Sequence, residues 1–64
     1  MEKAEEKKII ERAVISVFHS LPEGTPRADI ARAAALNADK KGVNVQVAPY
    51  LQDIFYGALD KCGL

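Results

Sequence analysis

The chain has 64 residues, 48% of them apolar, and nine basic side chains cancel nine acidic ones. That length holds one domain with a marginal core, and the composition is that of a folded chain and not a disordered one. Neutrality argues against a task built on unspecific attraction to nucleic acid or to an anionic membrane, and a single cysteine (Cys62) with a single histidine (His19) excludes an internal disulfide and a His/Cys zinc set.

Small domains without such staples often lean on a partner or on a second copy. Residues Met1 to Lys8 are charged, with no signal-type apolar run behind them. No stretch approaches the roughly 20 apolar residues that span a bilayer. With the lone thiol, this leads to an expectation of a cytoplasmic protein that uses neither membrane, metal nor cofactor.

The first predicted helix runs from about Lys3 to His19. Ile10, Val14, Val17, Phe18 and Leu21 recur with the spacing of one helix face, and Ala13 widens the stripe. Glu2, Glu5 and Glu6 place negative charge in the first turns, where the helix dipole favours it. Leu21-Pro22-Glu23-Gly24 stops the helix.

The second helix is expected to open with Thr25 as N-cap and Pro26 as first helical residue, and to end at Gly42 in a left-handed conformation behind Lys40 and Lys41. Between them lie Ile30, Ala31, Ala33, Ala34, Ala35, Leu36 and Ala38. Alanine gives high helix propensity and a thin cylinder that neighbours approach closely, but little buried area. The first and third helices must supply the bulk.

Val43-Asn44-Val45-Gln46-Val47 alternates apolar and polar residues. This is the pattern of a half-buried strand, and no other stretch offers it a partner. Two readings follow: an extended connector whose valines plug the core, or an edge that pairs with another chain. The third helix is expected from Pro49 to just before Gly63, with Leu51, Ile54, Phe55, Ala58, Leu59 and Cys62 as its stripe and Gly57 as a weak point inside it.

The fold class expected is therefore all-α: one small three-helix domain over residues 1–64, with a short extended segment before the third helix. Its core should contain Ile10, Val14, Val17, Phe18, Leu21 and Ile30, joined by Ala34, Leu51, Ile54, Phe55 and Leu59.

Chemistry-bearing residues are few. His19 falls opposite the core stripe of its helix and reads as a solvated surface residue; Cys62 reads as a small buried hydrophobe. Asp29, Asp39, Asp53 and Asp60 lack calcium-loop spacing. A domain this thin also leaves little room for a pocket of about 300 Å³, the lower end for ligand sites. No catalytic residue is expected.

Ile15 and Tyr56 carry more information. Each is large and lies about 140° from the centre of its helix stripe at 100° per residue. Side by side, with Tyr50 or Ile9 at the edge, they would form a patch that a lone monomer should not expose. The expected protein interface is thus Ile15, Tyr50 and Tyr56, with Val43, Val45 and Val47 if the segment pairs as an edge.

Two resemblances bear on function. From Glu11 to Leu64 the chain resembles a helix-turn-helix of winged-helix type. Thr25-Pro26-Arg27-Ala28-Asp29-Ile30-Ala31 is similar to the opening of that motif's second helix, and Tyr50-Leu51 through Lys61-Cys62-Gly63-Leu64 to its third. This implies a DNA-binding regulator with Arg27, Arg32, Lys40 and Lys41 as phosphate contacts. However, the helix that would enter the major groove carries Gln52, Asp53 and Asp60 beside one base, Lys61.

Over about the last 45 residues, the order and spacing of Leu21-Pro22, Arg27, Ala38, Gly42 and the extended lead to Val47 resemble another domain. It is the small helical domain at the C-terminus of the light-independent protochlorophyllide reductase B subunit, together with its stand-alone relatives. Here no tryptophan precedes the first helix, and Val47 stands where a threonine usually opens the third. The resemblance implies an accessory domain that packs on a larger enzyme, and it transfers no functional residue. The expected function is a non-enzymatic protein-binding or accessory module, acting on a protein partner or as a homodimer, with the DNA-binding regulator as the alternative.

Overall fold

The computed structural model describes residues 2–64; Met1, the first residue of the charged N-terminal stretch, lies outside them. It contains three helices, α1 (Lys3–Ser20), α2 (Arg27–Lys40) and α3 (Pro49–Lys61), and no strand among the described residues. Both α2 and α3 pack along α1 while scarcely touching each other. The ends show the chain sense: Tyr50 at the start of α3 bonds Glu6 early in α1, and Asp60 at its end pairs with Arg27 at the start of α2. The helices therefore alternate in direction, α1 and α3 running the same way with α2 against them.

One cluster forms the core. Ile10, Ala13, Val14 and Val17 enter it from α1, Ile30, Ala34 and Ala38 from α2, and Leu51, Phe55, Ala58 and Leu59 from α3. Leu21 and Ile54, expected inside, are half-buried against its margin. Phe18 is half-buried outside the cluster, its ring edge-on to His19 at 5.7 Å. It belongs to the last turn of α1. Cys62 is also half-buried against the core.

The start of α2 differs from expectation. Pro26 is the N-cap and no side chain caps the helix. The Thr25 hydroxyl, the expected cap, donates instead to the Pro22 carbonyl at 2.6 Å, and the Thr25 backbone N–H turns back to the same oxygen. Donation to Pro22 turns the hydroxyl back onto the Leu21–Thr25 turn, away from the first N–H groups of α2, from which a cap oxygen would accept. At the other end the expected stop is present. Gly42 has φ 94°, its N–H bonds Asp39, and the Val43 N–H reaches the Ala38 carbonyl at 3.0 Å. That is the paired C-terminal closure in which residues before and after the glycine touch through apolar side chains, and Ala38 and Val43 are both buried.

Between α2 and α3 the chain takes the connector form and not that of a pairing edge. Asn44 accepts the Gln46 N–H on its side-chain oxygen at 2.9 Å, and its carbonyl accepts the Val47 N–H. This Asx-type turn breaks the period-two pattern: Val43 and Val45 point into the core, whereas Val47 is 73% exposed.

Two substitutions probe the packing. Ala34 is fully buried, so Ala34→Leu forces bulk between α1 and α2 and should lower stability by about 1–3 kcal/mol. A Cβ at Gly57 would meet nothing within 4 Å, so Gly57→Ala should raise stability by up to about 1 kcal/mol. Urea unfolding followed by circular dichroism measures both, and the two signs should be opposite.

A candidate partner-binding groove between the second and third helices

Because α2 and α3 each lean on α1, a groove opens between their outer flanks. Its floor is apolar: Ala31 and Ala35 from α2, Val45 from the connector and Phe55 from α3. The alanines are what make it deep, since any longer side chain there would fill it. Leu36 and Tyr56 stand on its walls at 58% and 52% exposure. Arg32 and Asp39 on one side and Gln46 and Gln52 on the other give it a polar edge. The groove measures about 670 Å³, more than the thinness of the domain suggested. The reason is that it is an open trough between two helices and not a cavity inside the core.

The polar side chains that line the groove are Arg32, Asp39, Asn44, Gln46, Gln52 and Tyr56. Among the described residues no three His, Cys, Asp or Glu side chains gather where a metal would sit, and no buried side-chain polar atom lacks a partner. His19 and Cys62 are not among its lining residues. A second hollow of about 270 Å³ lies between α1 and α3, lined by Ile54, Gly57 and Ala58 together with Lys7, Glu11, Asp53 and Lys61. Lys61 and Glu11 bond each other there at 3.2 Å. No helix of the structure is long and apolar enough to cross a membrane.

The residues singled out from the sequence separate into three groups. Tyr56 lines the groove; Leu36, its neighbour there, was not singled out although it lies about 160° from the buried stripe of α2 by the angular rule that flagged Tyr56. Ile15 is 49% exposed but lines neither hollow, so it and Tyr56 are not brought into one site. Val43 and Val45 are core residues, not exposed interface residues, although the Val45 side chain also closes one end of the groove.

Tyr50 is engaged within the chain. Its hydroxyl donates to Glu6 Oε1 at 2.7 Å, and the Lys3 ammonium lies 4.8 Å over its ring. Of the bases proposed to contact phosphate, Arg27 pairs with Asp60 at 3.1 Å and also donates to the Leu64 carbonyl. Arg32, Lys40 and Lys41 are exposed; Arg32 and Lys40 lie about 80° apart around α2, Lys41 is its C-cap, and all three are interleaved with Asp29 and Asp39.

Compared with known proteins, the chain matches no family model, no curated protein and no solved structure.

The Tyr50–Glu6 bond makes a pH prediction. Donation to the Glu6 carboxylate, aided by partial desolvation and by the charge of Glu6, holds the phenol above its ordinary value of 10.0. The folded state keeps the proton longer than the unfolded state does. The stabilisation is therefore complete below the unfolded value and is lost as pH rises through the folded one. In a Tyr56→Phe background, tyrosinate absorbance should titrate above the free-tyrosine range, and Glu6→Ala should bring it down.

Proposed function

We propose that this protein is a protein-binding module that receives an apolar element of its partner in the α2–α3 groove and performs no catalysis of its own. The observation that carries this reading is the pairing of Leu36 and Tyr56, each more than half exposed, on the walls of a trough floored by Ala31, Ala35, Val45 and Phe55. Two large side chains left in water beside a concave apolar floor are what a helix-in-groove or side-chain-in-pocket contact uses. The surrounding amides and charges can fix the orientation of a bound segment. The zero net charge suits contact by shape and apolar area over long-range steering. An accessory domain packed on a larger enzyme is a case of the same activity.

The test is photo-cross-linking in cells. A cross-linking amino acid at Gln52 or Leu36 should yield protein adducts, whereas the same group at Lys8, outside the groove, should not. Adding Tyr56→Ala should reduce the groove adducts at least several-fold while leaving the helical circular dichroism signal intact. Absence of adducts from both groove positions would overturn the reading.

A further inference from the structure

We infer that the outward face of α2, which forms one lip of the groove, is the seat of a second copy of this chain, with the two α2 helices antiparallel about a twofold axis near Ala35 and Leu36. This deepens the groove reading and rests on it.

The inference comes from the order of charge along α2. Asp29, Arg32, Asp39 and Lys40 are all exposed, and none forms an ion pair with any described residue of its own chain. Read along the helix, the face runs acid, base, apolar, acid, base, with Leu36 as the apolar element. Read backwards, every sign inverts. At about 100° per residue, Arg32 and Asp39 fall in one row along the helix and Asp29 and Lys40 in another, with Leu36 between the rows. That is the layout of a helix seam with charged flanks.

Antiparallel packing brings each row against the same row of the other copy. Arg32 and Asp39 lie equally far from the midpoint between Ala35 and Leu36, so Arg32 meets the second copy's Asp39, and Asp39 meets its Arg32. Asp29 and Lys40 are disposed about a midpoint one residue earlier, so each comes within reach of its opposite at the ends of the seam. A twofold pair of parallel α2 helices would instead set the Arg32–Asp39 row against the Asp29–Lys40 row of the second copy, with Arg32 and Asp29 three residues out of step and the two helix dipoles side by side in the same sense. The antiparallel pairing puts Arg32 level with the second copy's Asp39, and such self-complementarity is what an isologous contact requires. Leu36 falls at the axis, where it covers the same residue of the second copy, and the small Ala28 and Ala35 beside it allow close approach of the helices.

The size of the face sets the strength of the contact. A standard interface hides about 800 Å² per partner, which is close to a fifth of this chain's surface of 4330 Å². One helix face with a single leucine offers less, so the dimer is a weak and reversible one.

Sedimentation equilibrium at low salt, where screening is weak, tests it through charge exchange. The wild type should show a monomer–dimer equilibrium. Arg32→Glu and Asp39→Arg should each weaken it about tenfold or more, since each turns two attractive pairs into repulsive ones. An equimolar mixture of the two variants should recover wild-type association, because every cross-copy pair is again opposite in sign. The double variant R32E/D39R should recover it alone. Circular dichroism reports whether each exposed-surface variant keeps the fold. A wild type that stays monomeric at about 1 mM, far above the affinity expected of a specific contact, would overturn the inference. So would single variants that associate as the wild type does, or a mixture that fails to recover. If the chain is monomeric yet its groove positions cross-link to other proteins, the second copy falls and the groove reading stands; if they cross-link to nothing, both fall.

Discussion

The fold depends on one constraint: α1 is the helix on which both of the others pack. The stripe from Ile10 to Val17 packs against α2 on one side and α3 on the other, and those two helices barely meet. An alanine-built α2 follows from that arrangement. Ala34 and Ala38 let its axis come close to α1, while Ile30 is its one large buried side chain. A thin helix held closely on one side leaves its other flank unfilled, and the open groove is that unfilled flank. The close approach that stabilises the core and the concavity that suggests a binding role therefore have the same cause.

The three helices and most of the interior were legible in the amino-acid sequence because large apolar residues recur on α1 and α3 with helical spacing over several turns. The legible part ends where a single side chain chooses between two local hydrogen bonds. Thr25 had the residue type of a cap and stood before a proline, yet the helix starts one residue later and the hydroxyl closes the preceding turn on Pro22. Val43 to Val47 had the alternation of a strand, but the Asn44 side chain captures the Gln46 N–H and folds the segment. Asparagine in an otherwise apolar alternation was the available sign of a turn. Phe18 was placed inside by its spacing and lies partly outside, because periodicity says which way a side chain points and not whether a neighbouring element covers it.

The candidate site was only partly legible for a related reason. Tyr56 could be flagged from α3 alone and Leu36 from α2 alone, but a groove is a relation between two helices that no spacing within either one encodes. Ile15 shows the converse, since its angular displacement equals that of Tyr56 and it lines neither hollow. The charges follow the same division. Their total is zero and excludes steering by net field, whereas their order along α2 carries information that the total conceals.

Val45 and Phe55 each belong to two structures at once, since they are buried in the core and also line the floor of the groove. Occupancy of the trough and cohesion of the folded chain are thereby thermodynamically linked. Whatever settles there holds the native state against melting by mass action. A substitution in the floor also alters the core, whereas Leu36, Arg32, Asp39 and Tyr56 on the lip are exposed and can change without disturbing what lies beneath them.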